Sequence, residues 1–322
     1  MRALLASLAF AAAQLFAPSA ALAQSAFAFA TAAEGRAIVS ARDDYVRQTT
    51  PLERQALLRT REAVSEERLL AAMAEQVLEW NDADRQRLQP LVARLDGFLA
   101  RIKPLEPRRI LLVKTSPDFL NGFPHTRANA IILPIGAEML RTSPSMTFYI
   151  LAHELFHVLS RNNPAWRERL YASFGFQRCA TVSIPQPVAD LRLTNPDAPQ
   201  SLHTIPVVYG GRWVDVLPYV SFFSPQIDPR DGFLNQIAPA WLLTQRDGDT
   251  CTVTFAGGLE PEKVEGLYQQ IGRNTDYLFG PEEILADNFA LLAFGLVAAD
   301  LPRIPLEIRS PEVIEQLRLD LQ

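Results

Sequence analysis

From Thr31 to Arg101 charged and apolar residues alternate at helical spacing, as in "LERQALLRTREAVSEERLLAAMAEQVLEW", which predicts a helical region with one solvated face. Asn81 or Asp82 can open a further helix through "RLQPLVARLDGFLARI", with Pro90 marking a kink or a later start. The period then changes. "RRILLVKTS" and "ANAIILP" are short and rich in β-branched or aliphatic residues, which predicts strands, and the Pro, Gly and Asn of the intervening "PDFLNGFPHTR" predict a loop. His125 and Arg127 stand where that loop meets the second strand. They can line a cleft, although loop residues of this kind are more often exposed.

The next segment, "SPSMTFYILAHELFHVLSRNN", predicts one helix bounded at both ends. Ser143 is a good N-cap, Pro144 suits the first helical position, and Asn162, Asn163 and Pro164 supply the stop. Between these limits the apolar residues point in nearly every direction, so the helix belongs in the middle of a domain. Two strands just before it predict a sheet packed on it. From Cys179 to Gly257 the pattern is β-rich, with hairpin turns at Gly210-Gly211 and Asp247-Gly248; it reads as an insertion. "LTNPDAP", from Leu193 to Pro199, reads as an irregular turn without chemistry. Helices return at Pro261, at Pro281 and after Ser310.

Composition narrows the class. The first residues carry one early charge at Arg2, an apolar stretch and Ala21-Leu22-Ala23 before Gln24, the pattern of a secretory signal peptide over residues 1–23 in a bacterial, periplasmic or secreted protein. Removing Arg2 with it takes the formal charge from −5 to −6, which offers no footprint for nucleic acid or anionic lipid. No later segment is long and apolar enough to span a membrane. With 48% hydrophobic residues the remainder can bury a large core, as a helical N-terminal region over 24–105 and a second domain over 106–322 with the β-rich insertion 179–257. Cys179 and Cys251, the two cysteines, each open a β-like run, and in an oxidising compartment they are expected to form a disulfide.

The chemistry lies in the buried helix. His153, Glu154 and His157 have the spacing H-E-x-x-H, which puts two imidazoles on one face, able to share a metal, and a carboxylate beside them able to activate water. A buried carboxylate without a partner costs several kcal/mol, so a structural placement of Glu154 is awkward. A catalytic zinc commonly takes three protein ligands. Ser160 and Asn163 stand where a metzincin would need Gly and His, which excludes that class.

Downstream, "PEEILADNF" places Glu283, Ala286 and Asp287 in the pattern E-x-x-A-D, and here the chain resembles the gluzincin metallopeptidases. That resemblance covers the two helices and, in outline, the preceding strands. It implies a zincin-like α+β fold with a small sheet on the active-site helix. It further implies one zinc ion held by His153, His157 and Glu283, with Asp287 accepting a hydrogen bond from a ligand histidine. Glu282 lies about 100° away around the helix and lacks an acidic partner four residues on, so it ranks behind Glu283 and is expected to matter little to metal.

The implied activity is hydrolysis of peptide bonds by a metal-activated water, with Glu154 moving the proton. Tyr277, before the second helix, is the first candidate donor to the transition state, with His203 and Tyr209 behind it. The implied partner is a peptide or protein, and "ANAIILP" can pair with it as an edge strand. Two other readings use the same donors: a metal-binding envelope protein without turnover, and a zinc amidase acting on cell-wall peptides. Retention of Glu154 argues against the first, because structural zinc needs no general base.

Overall fold

A computed structural model describes residues 25–136, 143–304 and 306–322; the expected signal peptide lies outside the described residues. In chain order the elements are β1 (Phe27–Phe29), α1 (Ala32–Val39), α2 (Asp44–Gln48), α3 (Pro51–Leu57), α4 (Glu66–Glu75), α5 (Asp82–Leu99), β2 (Ile110–Thr115), β3 (His125–Arg127) and β4 (Ala130–Pro134). Then follow α6 (Pro144–Asn162), α7 (Pro164–Ser173), β5 (Gln177–Arg178), β6 (Thr181–Ser183) and α8 (Gln186–Ala189). The chain continues through β7 (His203–Tyr209), β8 (Arg212–Phe222), β9 (Ile237–Asp247), β10 (Thr250–Leu259), α9 (Leu267–Ile271), α10 (Pro281–Val297) and α11 (Pro311–Asp320). This mixture of helices with two sheets is consistent with the α+β class expected from the sequence.

The first sheet has the order β1-β2-β4-β3, parallel except for the β3–β4 pair. Both of its faces are covered, which is why its strands read as continuous apolar runs. Ile110, Leu112, Ile131 and Leu133 join the cluster of α5, α6 and α10 on one side. Leu111, Val113, Ala130 and Ile132 meet Val39, Val46, Leu69 and Met73 of the N-terminal helices on the other. "ANAIILP" is therefore an interior strand, flanked by β2 and β3, and not the edge expected for substrate pairing. The edges are β1 and β3, and at β3 the Thr126 N–H already donates to Asp197 at 2.7 Å.

The segment 24–105 is also more than helical. Phe27–Phe29 pairs in parallel with Ile110–Leu112, and Phe98 of α5 packs edge-on against Phe289 of α10 with ring centroids 5.1 Å apart. It thus shares a core with the rest of the chain. Pro90 is accommodated inside α5, whose N-cap is Asn81.

α6 has the limits expected of it: the Ser143 side chain accepts from Met146 N, Pro144 occupies the first turn, and Asn163 is the C-cap. It lies between the first sheet and α10, so nearly its whole circumference is buried. The second sheet has the order β5-β7-β8-β9-β10-β6. Its edge strands β5 and β6 are nearly consecutive in the chain, and the step from Arg178 to Thr181 reaches at most about 11 Å. The sheet must curl until its two edges meet. Cys179 sits in that short step and is bonded to Cys251 of β10 across a sequence separation of 72, which bears out the expected disulfide.

The turn at Gly210-Gly211 forms as predicted, with φ of 57° and 75° where only glycine is at ease. The β9–β10 turn falls one residue later than expected, at Gly248-Asp249, because Asp247 pairs with Thr250. The helix expected from Pro261 is reduced to one turn and the short α9. Between them Glu265 exchanges two backbone hydrogen bonds with Val208, which a continuous helix could not do. Among the described residues no helix is long and apolar enough to cross a membrane.

A crosslink that closes so long a loop restricts the unfolded chain, by about 4 kcal/mol in the chain-entropy account. Thiol titration of the denatured, unreduced protein should find no free thiol, and Cys179→Ser with Cys251→Ser should lower the unfolding free energy by about that amount. Two titratable thiols, or an unchanged unfolding curve in the double variant, would contradict this.

Candidate metal centre

One turn of α6 separates His153 from His157, so the two rings stand over one another on the face toward α10, with centroids 4.7 Å apart. The first turn of α10 answers with Glu282, Glu283 and, one turn on, Asp287. Its N-terminal dipole favours carboxylates at that end. The ring nitrogens divide their partners. His153 Nδ1 lies 2.8 Å from Asp287 Oδ1, and His157 Nδ1 lies 2.9 Å from Glu282 Oε1. If each Nδ1 carries the proton it donates, both Nε2 atoms present lone pairs. Those two atoms converge on Glu283 Oε2, at 3.1 Å from His153 and 3.6 Å from His157.

Three electron-rich atoms at these separations repel unless positive charge lies among them. Two donors held about 2.05 Å from a tetrahedral zinc ion lie about 3.3 Å apart, between the two observed distances. His/His/Glu is also a common zinc donor set, and each imidazole has the outer carboxylate that such ligands usually carry. The residues present therefore fit a zinc ion. A further sign is Glu154, only 4% exposed, whose Oε2 is buried without a hydrogen-bond partner.

The protonation of these groups records the same demand for charge. Burial raises the Glu154 carboxyl to about 8, with the negative charge of Asp197 adding to it and the histidines opposing. Burial works against a charged His157, but Asp197 and Glu283 outweigh it and raise the imidazole to about 9. His153 is likewise raised well above its ordinary value, its burial being outweighed by Asp287 and Glu283. Asp287 is held low, its burial overcome by the bond to His153.

Glu282 requires a correction. Far from pointing away, it is 3% exposed and accepts from His157, from the Ser160 hydroxyl and from the Tyr171 hydroxyl. The 100° step carries it round to the deeper histidine, so Glu282 and Asp287 flank Glu283 and each orients one imidazole. Asp287 has its expected partner, and its second oxygen accepts from Thr275.

The Leu193–Pro199 turn also departs from expectation. Asn195 donates to Glu283 Oε1 at 2.5 Å, and the side chain of Asp197, 7% exposed, brings an oxygen within 4.8 Å of donor atoms of His157 and Glu283. Any proline-bounded loop of short polar residues has this sequence character, so nothing in the local pattern marked these two. Ser160, Tyr171 and Thr275 were equally silent as parts of ordinary helix and loop.

A cleft of about 1310 Å³ opens beside the centre. Tyr277 lies on it, its ring 6.3 Å from that of His153 and 40% exposed. His203 is in the cleft wall, with Nε2 engaged by Glu168 at 2.8 Å. Tyr209 stands at the tip of the β7–β8 hairpin, 42% exposed, and is not among the lining residues. His125 and Arg127 line the cleft but are buried, against the expectation for loop residues. Strand alternation turns them away from α6, toward Phe123 O and toward Asp43 and Ala41 O.

Comparison with known protein families, with curated proteins and with solved structures finds no match for this chain.

Because Glu282 orients His157 and satisfies two buried hydroxyls, Glu282→Gln should weaken zinc binding by about 10- to 100-fold, comparable with Asp287→Asn. Zinc titration of folded variants checks it. Unchanged affinity in Glu282→Gln would leave Glu282 a purely structural acceptor.

Proposed function

We propose that this chain is an exported zinc-dependent hydrolase of peptide bonds, with a zincin-like arrangement of active-site helix and sheet. The observation that carries the reading is the convergence of His153 Nε2, His157 Nε2 and Glu283 Oε2, with the unpartnered carboxylate of Glu154 on the same helix. The gluzincin resemblance supports it through the same residues, since Glu283 faces both imidazoles and Asp287 pairs with His153 Nδ1. A disulfide is compatible with an oxidising compartment outside the cytoplasm.

When bound, zinc would supply a Lewis acid that makes a water nucleophilic near neutral pH and polarises the scissile carbonyl. His153, His157 and Glu283 would hold it. Asp287 and Glu282 keep both imidazoles in the tautomer that leaves Nε2 free, and Asn195 fixes the Glu283 carboxylate by its other oxygen. Glu154 accepts the proton from the attacking water and delivers it to the leaving amine nitrogen. Its burial makes it a stronger base once ionised and lets it hold the proton between steps, and the charge of a bound zinc ion would favour the ionised form that the first step needs. Tyr277 is the donor toward the carbonyl oxygen as charge builds there. Partial desolvation of its hydroxyl and the nearby Glu283 raise the phenol above its ordinary value, which keeps it protonated although the residue is 40% exposed.

The cleft volume accommodates an extended peptide of several residues. β3 is not its docking edge, because Asp197 occupies the Thr126 N–H. Recognition therefore rests on the cleft walls, which include both the N-terminal helices and the second sheet.

Purified, zinc-loaded protein should cleave an unfolded protein substrate. Glu154→Gln should retain about one equivalent of zinc while losing at least about 100-fold in rate, because the ligands stay and the proton acceptor goes. Cleavage of muropeptides with no action on protein would move the assignment to an amidase of the same chemistry. Undiminished turnover in the metal-loaded variant would remove Glu154 from the mechanism.

A further inference from the structure

The Leu193–Pro199 loop is tied down on several sides. Thr194 N–H donates to the buried Glu53 at 3.2 Å, and the Thr194 hydroxyl donates to Gln48 O at 3.0 Å. Asn195 holds Glu283, and Arg161 of α6 donates to the carbonyls of Pro196 and Asp197, each at 3.2 Å. These ties set Asp197 beside His157 and Glu283. Thr126 donates to Asp197 Oδ1 twice, from its N–H at 2.7 Å and its hydroxyl at 2.5 Å. Among the described residues, the cationic side chain that bridges to this carboxylate is Arg161, at 3.7 Å, and its guanidinium is closer to Thr126 Oγ1, at 2.7 Å.

We propose that Asp197 is a fourth protein donor to the cation held by His153, His157 and Glu283, and that it closes the site in this conformation. The inference rests on the metal reading above and goes beyond it. Asp197 shares a donor cluster with His157 and Glu283, all within 4.8 Å, although it comes from a loop some 40 residues from one helix and more than 80 from the other. Its carboxylate lies close to those of Glu154 and Glu283, with His157, Arg161 and His125 as the cationic groups acting on it, so a bound cation there would face carboxylates from both helices and from the loop. Four protein donors make a closed zinc site, and a catalytic one keeps a position for water. The loop then acts as a latch: Asp197 must leave before Glu154 can act on a water in its place. Because its ties run to Glu53, Gln48, Thr126 and Arg161, the latch is attached to the N-terminal helices, the first sheet and α6 together. A ligand that shifts any of these in the cleft can release it.

Cobalt(II) in place of zinc reads the donor set directly. The full-length processed protein, loaded with one equivalent of cobalt, should give a visible spectrum that sodium azide barely alters, since no position is open to the anion. Asp197→Asn, which keeps the volume, and Asp197→Ala should each shift the bands, make them azide-sensitive and weaken zinc binding by at least about 10-fold. The proposal is overturned if both variants keep the wild-type spectrum, azide response and zinc affinity. It also falls if the wild-type spectrum already responds to azide as the variants do. Failure of the wild type to take up cobalt or zinc at all would sink the metal reading itself, which separates the two claims.

Discussion

Lone pairs and carboxylates from two helices are forced into one buried space, and the need to place positive charge there organises the rest of the molecule. Without an ion, the imidazoles meet that need by taking up protons, which burial opposes and the surrounding carboxylates favour. A divalent cation meets it at once. Each imidazole is backed by its own acceptor, Asp287 or Glu282, so the ring orientations do not depend on the ion. Such preorganisation is what a binding centre requires.

The fold supplies the rigidity this requires. α6 is packed between the first sheet and α10, and the Phe156, Phe289 and Phe98 rings interlock behind the histidines. Losing any of these rings would leave a cavity worth about 3–5 kcal/mol, so the helices cannot easily slide and alter the spacing of the donors. The second sheet has a different task. Leu193 N bonds Val220 O and Phe222 N bonds Leu191 O, so β8 carries the start of the loop that brings Asn195 and Asp197 to the centre. The disulfide secures the curl of that sheet at its seam. Stability far from the centre is thereby linked to the position of two residues within it.

What could be read from the sequence follows the range of the signals. The α6 limits, the H-E-x-x-H face, the Glu283–Asp287 pair and the disulfide are short-range patterns of cap, spacing or redox class, and each reappears in the structure. Asn195 and Asp197 were invisible because their contacts cross more than 30 residues to α6 and more than 80 to α10. Glu282 departs from expectation for a different reason: the 100° step holds, but it leads to a second histidine at another depth, and each histidine has its own carboxylate. The edge role given to "ANAIILP" failed because three residues of β3 were hidden in a segment that looked like loop. Its short length and its His-Thr-Arg composition carry no strand signature.

In the proposed function Glu283 and the two histidines hold one zinc ion. The most direct test is metal content of folded protein after exposure to zinc and exhaustive dialysis. About one zinc per chain is expected in the wild type and almost none in Glu283→Ala, with α-helical content retained. A wild-type protein that returns from dialysis without zinc, or a Glu283→Ala variant that keeps its full complement, would contradict it.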